Sequence, residues 1–544
     1  MLRRRRESNR VFRGSHLSTS EERTGTTSSS SVPNPLVVFA CYAGLFVVAC
    51  IPIFSFASLP LGDVLNHAAR VYILNNLEND QILQTFYTVH WDLFSFQSTD
   101  LLLPPLARWF GLETAVRLFT ATTFALLIAG TVAVHRALFG RVTLWPAGAF
   151  LFLYNFPLIS GQISFLFSTG LSLLLFAAWI ATERWPRVVR IPVFAAASFG
   201  LMLCHFFALA AYGLLIMVFT LARARRAPTW GQRLRELVEA GLPFLPSGIC
   251  FLSSFGQAVD GPTSYGGISN KLVALLAGTA NYGRWPDFLM TFVIIIALWW
   301  LIRRKGIVVA TGMRLPVFAL LLAAIAMPNL LRGVFAADLR LPCLLYFLLV
   351  AVTEVRLEGR RYAVAFVAGV FSLLLLRVGT TVVLWSDLEA GYREFRVADQ
   401  ALDRGSRVAV TPAPYWNISC FAVIDRQVFL PVLATTATPL AFTGAARDLY
   451  SDTLARSRIV RWHPASPAFA SVGPETVRQV EQVAQRITEA DGFSSTIDWS
   501  DWPERFDYLI DFHSGRPGNP VPALLTEVSR GSYFAIYRIH PPPR

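Results

Sequence analysis

PLVVFACYAGLFVVACIPIFSFAS, the stretch at residues 35–58, contains no charged side chain. About 20 mostly apolar residues are enough for a helix to cross the hydrocarbon core of a bilayer. The run is too long for the core of a secretory signal peptide and has no convincing cleavage site, so it predicts a retained membrane span. Residues 1–33 combine the basic run Arg3–Arg6 with a Ser/Thr-rich stretch, a composition typical of a disordered cytoplasmic tail.

Similar apolar runs recur along the chain. Hydrophobic residues make up 54% of the 544 positions and charged residues 15%, a balance that a soluble protein of this length could not bury in its core. The sequence therefore predicts a polytopic α-helical membrane protein with about 11 transmembrane helices. The predicted spans are 35–58, 113–134, 142–158, 162–182, 191–204, 206–222, 238–255, 287–302, 308–330, 341–354 and 362–384.

The positive charge lies between these runs. The formal net charge is +13, but the arginines form short clusters rather than one contiguous patch, which removes most of the case for a nucleic-acid partner. Short cytoplasmic loops of membrane proteins are rich in Lys and Arg. The pattern therefore predicts a multi-pass protein of the bacterial inner membrane with a cytoplasmic N-terminus and a periplasmic C-terminus. The predicted cytoplasmic loops, all net basic, are His135–Arg141, Glu183–Arg190, Arg223–Glu239, Arg303–Lys305 and Glu354–Arg361.

The hydropathy of the chain falls from about Ser386 onward. Short apolar runs there alternate with a helix-like segment at Glu475–Ala490, so residues 386–544 are predicted to form a soluble extracytoplasmic α/β domain of ordinary size. Residues 34–385 form the predicted transmembrane domain, with a large first outer loop at 59–112. The apolar runs of the C-terminal domain are Val408–Val410, Val428–Leu430, Tyr508–Ile510 and Tyr533–Tyr537.

The first outer loop begins with PLGDVLNHAAR, residues 60–70. If this segment is helical, Asp63, His67 and Arg70 stand at positions i, i+4 and i+7 and share one face. A carboxylate, an imidazole and a guanidinium would then converge at the membrane surface. Such a cluster could supply a general base, a metal or proton partner, and a phosphate clamp. Alternatively, Asp63 caps the helix while His67 and Arg70 face water.

Further charged side chains lie at the predicted level of the outer membrane surface. Asp92 lies among aromatic residues that could equally form an interfacial belt, and Asp100 directly precedes an apolar run, where a carboxylate kept near lipid is a functional hypothesis. Cations at this level could bind a lipid phosphate, or could reach the headgroups or pair locally, as Asp338 could with Arg340. The charged residues in this group are Lys271, Arg284, Arg332, Asp338, Arg340 and Arg377. His205, between two short apolar runs, could be a ligand or a hydrogen-bonded structural residue.

Several short motifs stand in one order along the chain: Gly62-Asp-x3-His-x2-Arg70, the stretch from Trp91 to Asp100-Leu-Leu, Tyr154-Asn-Phe-Pro157, and Ala337-Asp-Leu-Arg340. With an acidic residue after the first span, a long first loop and an outer C-terminal domain, they resemble a large group of uncharacterised bacterial membrane proteins. The layout is similar to that of the GT-C superfamily of integral membrane glycosyltransferases. The resemblance covers nearly the whole chain at the level of architecture.

The resemblance implies that Asp63 is a catalytic carboxylate, which activates an acceptor hydroxyl or helps hold a divalent metal ion, and that Asp100 is a second acidic group. It also implies a polyprenyl-phosphate-linked sugar donor in the membrane lipid and an envelope glycan, lipid or protein acceptor. The paired acidic motif common in the superfamily is missing, because Gly62 and Val64 flank Asp63, so metal dependence stays open. The candidate substrate-binding residues are His67, Arg70, Asp92, Lys271, Arg332, Asp338 and Arg340.

Other functional classes are weighed by what the sequence lacks. No Walker-type loop, GxGxxG after a strand, GxSxG or HExxH motif occurs, so nucleotide hydrolysis and common hydrolase chemistries have no support. A transporter or flippase of a lipid-linked glycan usually shows inverted repeats and polar groups near the midplane, whereas the polar groups here cluster at the outer surface. A non-enzymatic envelope assembly protein would need no carboxylate cluster at the membrane.

Overall fold

The computed structural model describes residues 34–57, 59–89, 91, 97–253, 263–281, 284–332, 334–355, 359–403, 406, 408–411, 460–462, 502–512, 518–532 and 534–540. The predicted tail at 1–33, the candidate Asp92, the run Val428–Leu430 and the segment Glu475–Ala490 lie outside the described residues.

In the described part, the helices are α1 (Pro35–Ser55), α2 (Val64–Asn76), α3 (Gln81–Phe86), α4 (Ser98–Phe110), α5 (Leu112–Phe139), α6 (Phe156–Ile159), α7 (Ile163–Ala181), α8 (Arg187–Cys204), α9 (Phe206–Ala224), α10 (Trp230–Gly241), α11 (Leu245–Ser253), α12 (Ile268–Leu276), α13 (Arg284–Arg303), α14 (Arg314–Ala326), α15 (Arg340–Val352), α16 (Arg360–Ala398) and α17 (Trp502–Arg505). The strands are β1 (Tyr87–Val89), β2 (Ile307–Val309), β3 (Leu330–Leu331), β4 (Val334–Phe335), β5 (Thr353–Val355), β6 (Val408–Thr411), β7 (Val460–Trp462), β8 (Tyr508–Phe512), β9 (Leu525–Arg530) and β10 (Phe534–Ile539).

Seven helices of the described part are long and apolar enough to cross a bilayer, and each matches a predicted span. They are α1, α5, α7, α8, α9, α13 and α16. Helix α13 leaves Phe292, Ile295 and Trp299 about half exposed or more, with 62%, 54% and 52% of each residue accessible. So much exposed apolar surface suits lipid rather than water as the surrounding solvent. The chain is therefore a multi-pass helical membrane protein, as the sequence predicts.

The predicted span at 142–158 is not a continuous α-helix. A 3-10 helix at Trp145–Phe152 is followed by the single turn α6, and Asn155 separates the two. The Asn155 side chain accepts from the backbone N–H of Leu158 at 2.9 Å and donates to the carbonyl of Phe152 at 2.7 Å. This capping ends one segment and starts the next. The 3-10 helix is almost wholly buried among α1, α5, α15 and α16, and α6 is buried beside α7. The apolar run is thus an interior segment of the bundle.

The loops predicted to lie in the cytoplasm contact one another, and the predicted first outer loop contacts the turn that follows residue 158. Within the predicted cytoplasmic set, Arg141 pairs with Glu354 at 2.8 Å, and strand β2 pairs with β5. Gly62 of the predicted first outer loop donates to the carbonyl of Ile159, which directly follows the run at 142–158. This is the separation expected when successive helices cross the bilayer in alternate directions.

The C-terminal part of the described chain forms a four-stranded sheet in the order β6-β8-β10-β9, in which only β6 and β8 run parallel. Helix α16 is 39 residues long, or about 58 Å, so it passes the predicted boundary at residue 386 and extends well beyond a hydrocarbon core about 30 Å thick. The Phe395 ring near its end packs edge-on against Phe534 of β10 at 5.0 Å. Strand β7 pairs with β1 of the first loop, so the C-terminal segment lies on the same side as that loop.

Candidate active site

The backbone around Asp63 is fixed by the turn that follows α6. Gly62 N donates to the carbonyl of Ile159 at 2.8 Å, and Asp63 N donates to that of Ser160 at 3.1 Å. Gly161 has a φ of +83°, and a Cβ there would lie 2.1 Å from Asp63 N. Only glycine allows both this conformation and this approach of two backbones. The turn at 159–161, which follows the broken segment at 142–158, therefore places Asp63 directly.

Four side chains form a continuous polar chain from α2 to α4. His67 Nε2 lies 3.4 Å from Asp63 Oδ2, and Arg70 Nη2 lies 2.5 Å from His67 Nδ1. Arg70 Nε in turn donates to Asp100 Oδ1 at 2.6 Å, while Asp100 Oδ2 accepts from the backbone N–H of Gln97 at 3.1 Å. The predicted convergence of Asp63, His67 and Arg70 on one helix face is present, and Asp100 joins it from the neighbouring helix.

The four polar side chains differ in how much of each is exposed to solvent. The Asp63 side chain is 53% exposed, whereas those of His67, Arg70 and Asp100 are 3%, 10% and 2% exposed. Asp63 stands at the N-cap position of α2, but its side chain makes no capping hydrogen bond. The alternative in which Asp63 caps the helix and the other two face water is therefore wrong. Of the four, Asp63 is the side chain that a substrate can reach.

The protonation state of His67 follows from its neighbours. A guanidinium can only donate, so His67 Nδ1 accepts from Arg70 and the imidazole proton lies on Nε2, facing Asp63. Burial, reinforced by the charge of Arg70 and opposed by that of Asp100, lowers the pKa of His67 to about 3. His67 is therefore neutral at physiological pH, and its Nε2–H faces the Asp63 carboxylate at 3.4 Å.

Arg340 brings a positive charge to the same site from α15. Its Nε donates to Gln162 Oε1 at 3.2 Å, and its guanidinium lies 4.5 Å from the centre of the Phe207 ring. Asp63 is close enough to act electrostatically on it. Arg340 is 8% exposed, so its charge is held in place rather than solvated. No sequence signal pointed to Gln162, which follows the turn that supports Asp63.

His205 stands at the break between α8 and α9, with an extended backbone. The charge of Arg340 acts on it, and the charge of a protonated His67 would do so as well. Its Nδ1 is buried without a hydrogen-bond partner, which differs from the satisfied structural histidine that is the common case.

The remaining predicted residues are placed differently. Lys271 Nζ lies 3.2 Å from Asp338 Oδ2 and also donates to the Met327 carbonyl, so Asp338 pairs with Lys271 rather than with Arg340. Arg332 is exposed in the left-handed turn between β3 and β4, with a φ of +48°. Arg377, inside the last span, forms a buried ion pair with Asp287.

Neither Asp63 nor Asp100 is placed to hold a resident divalent metal. Asp63 faces the N–H of His67 and the charge of Arg340, both of which would repel a cation, and both oxygens of Asp100 already accept hydrogen bonds. Over the described ranges, no three His, Cys, Asp or Glu side chains lie together in a way that could hold a metal ion.

Comparison with known proteins gives one similar structure. No family model matches the chain, and no curated protein matches it. The chain is similar to the crystal structure of ArnT from Cupriavidus metallidurans bound to undecaprenyl phosphate, with 13% identity, 92% of this chain and 97% of that chain covered, and a TM-score of 0.43.

Proposed function

We propose that the chain is a membrane glycosyltransferase of the GT-C type. It transfers a sugar from a polyprenyl-phosphate donor to a hydroxyl group of an envelope lipid, glycan or protein on the periplasmic side of the inner membrane. The observation that carries the proposal is Asp63, a half-exposed carboxylate that follows the first span, is held by backbone contacts and lies beside the buried charge of Arg340.

Each group has a defined part in this reaction. The acceptor hydroxyl gives its proton to the Asp63 carboxylate, and its oxygen forms a bond with the anomeric carbon of the sugar. The bond between that carbon and the phosphate oxygen breaks, and the polyprenyl phosphate leaves with the additional negative charge. Arg340 stabilises this developing charge, because a fixed cation in a buried site acts more strongly than one in water.

The side of the membrane is part of the proposal. The basic loops predict a periplasmic site, and strand β7 pairs with β1 of the first loop, so the C-terminal segment should be periplasmic as well. Reporter fusions after Arg361 and after Asp387 test this. A cytoplasmic signal from the second fusion would place the site on the other side.

Mass spectrometry of membrane glycolipids and envelope glycans tests the reaction. Strains carrying the wild-type chain, a deletion, or Asp63→Asn in the deletion background are compared. We expect one glycosylated species to be lost in the deletion and in Asp63→Asn, while a polyprenyl-phosphate sugar accumulates. A flippase would instead leave Asp63→Asn membranes competent for sugar transfer when both faces are opened by detergent, and identical profiles in all strains would refute the proposal.

A further inference from the structure

The polar chain behind Asp63 runs from the surface into the core. Asp63 is half exposed, and the next three members are almost wholly buried. A buried ion pair such as Arg70 with Asp100 costs desolvation free energy that its mutual attraction offsets only when hydrogen bonding is complete. Here it is well satisfied, since both oxygens of Asp100 are bonded and Arg70 contacts His67 as well.

This geometry leaves two predicted roles without support. A donor phosphate would have to compete with Asp100, at 2.6 Å, for the Arg70 guanidinium, inside the protein. Asp100 is 3% exposed and already accepts two hydrogen bonds, so it is not placed to exchange a proton with a substrate. Both residues nevertheless lie in contact with the site through His67.

We infer that Arg70 and Asp100 are positioning residues, which hold His67 as a neutral Nε2–H donor that orients the Asp63 carboxylate toward the acceptor. Asp100 fixes the guanidinium of Arg70, Arg70 donates to Nδ1 of His67, and the proton on Nε2 is thereby directed at Asp63. The inference rests on the proposed function, in which Asp63 is the base. It moves Asp100 from catalysis, and Arg70 from phosphate binding, to the support of Asp63.

The groups that face His67 agree with this assignment. Asp63 and Arg70 face it from α2, Asp100 and the Thr99 hydroxyl face it from α4, and the charge of His67 would act on His205 between α8 and α9. If His67 gained a second proton, Nδ1 could no longer accept from Arg70, and two positive groups would meet in a buried space. The neutral Nε2–H form is the one that keeps every contact.

Paired substitutions of His67 test the inference. In His67→Gln, the side-chain amide can donate to Asp63 and its oxygen can accept from Arg70, whereas His67→Leu fills a similar volume and does neither. Membranes of the deletion strain supply the unidentified donor and acceptor, and purified full-length variants are added to them. We expect His67→Leu to lower the maximal rate by up to about a hundredfold, with the amount of membrane needed for half-maximal rate unchanged, because a misdirected base loses rate rather than binding. His67→Gln should keep most of the maximal rate that His67→Leu loses.

Three results would decide the matter. Equal rates for the two variants, with both folded by thermal unfolding, would overturn the positioning role. An increase in the membrane requirement of Arg70→Lys, with the maximal rate unchanged, would return Arg70 to donor binding. If Asp63→Asn is itself fully active, the proposed function fails rather than the inference alone.

The position of the proton on His67 can also be measured directly, without any substrate. Nitrogen NMR of the histidine-labelled chain in lipid bilayers distinguishes the two neutral forms of imidazole, and the signal of His67 is identified by its loss in His67→Gln. We expect the Nε2–H form at neutral pH in the wild type, and a mixture with the Nδ1–H form in Arg70→Met, where no guanidinium donates to Nδ1. An Nδ1–H form in the wild type would overturn the inference.

Discussion

His67 Nε2 lies 3.4 Å from Oδ2 of Asp63, which joins a buried imidazole to a half-exposed carboxylate. Side chains that act as bases in enzymes are commonly oriented by such a contact, because the partner limits the directions in which the base can point. In this site Asp63 is accessible to a substrate, and the residues behind it are buried. Substitutions of Asp63 and of the buried residues should therefore have different consequences.

Substitution of Asp63 should affect turnover without affecting folding. Asp63→Asn keeps the shape of the side chain but cannot take a proton, so transfer should fall by about 10²–10⁴-fold. The side chain is exposed and makes no capping bond, so thermal unfolding should barely shift. Glu78→Gln, which neutralises an exposed carboxylate just after α2, is the matched control and should keep full activity. Near-wild-type transfer by Asp63→Asn would end the catalytic assignment.

The ion pair of Arg70 with Asp100 should dominate local stability. Removal of one partner leaves the other charge buried, so Arg70→Met or Asp100→Leu should each cost about 3–5 kcal/mol of unfolding free energy. The double variant should be more stable than either single variant, because no unpaired charge remains. The exposed pair of Arg223 with Glu183 serves as the comparison, and breaking it should cost at most about 1 kcal/mol. Additive effects at Arg70 and Asp100 would show that the two do not interact.

The helix face that carries the site was predictable because it depends on local periodicity. Asp63, His67 and Arg70 have spacings that any α-helix brings together, and a helix does begin at Val64. The long apolar spans were predictable for a similar reason, since length and composition decide them. The roles of these residues stay predictions.

Contacts between distant segments were beyond the reach of sequence patterns. Asp100 reaches Arg70 across 30 positions, and Gln162 reaches Arg340 across 178, and no spacing rule relates such residues. The apolar run at 142–158 does not form the continuous membrane-facing helix that its hydropathy indicates, because hydropathy does not distinguish lipid from protein as surroundings. Its polar residue Asn155 and its two prolines, Pro146 and Pro157, were the available signal, since they mark the places where a regular helix is interrupted.

The pH dependence of stability should reveal His67. Its pKa is about 3 in the folded protein and near 6.5 in an unfolded chain, so only the unfolded chain takes up a proton as the pH falls below about 6.5. Stability is therefore fully present above about pH 6.5 and is lost on acidification, by about 2 kcal/mol at pH 5. Thermal unfolding of the wild type and of His67→Gln between pH 7.5 and 5 isolates this contribution. Parallel curves for the two proteins would mean that His67 is not buried in the neutral form.

The turn that supports Asp63 should be intolerant of a methyl group. Gly161→Ala would place a Cβ 2.1 Å from Asp63 N at a φ of +83°, so one of the two backbones must move. We expect a loss of at least about 1 kcal/mol in stability, and of up to about a hundredfold in transfer rate, as Asp63 shifts. Gly200→Ala, in α8 with open space around its Cα, is the control and should be neutral. Full activity of Gly161→Ala would show that the position of Asp63 does not depend on this turn.

Arg340 should bind the donor phosphate more strongly than the other candidate cations do. Its charge is buried beside Asp63, whereas the charge of Lys271 is compensated by Asp338 and Arg332 is exposed. A charge-assisted contact with phosphate contributes about 1.5–3 kcal/mol, so Arg340→Gln should raise the apparent donor KM by about ten- to a hundredfold. Lys271→Gln and Arg332→Gln are the comparisons and should have smaller effects.

The kinetic pattern separates donor binding by Arg340 from a purely structural role. Arg340→Lys keeps a positive charge but loses the planar contact with the Phe207 ring, so it should recover part of the donor affinity. If Arg340 only held Gln162 in place, Gln162→Leu would reproduce the defect, and the charge of the residue at position 340 would not matter. Initial rates at several donor concentrations, together with thermal unfolding of each variant, make the comparison. An unchanged donor KM in a folded Arg340→Gln variant would place the phosphate site elsewhere.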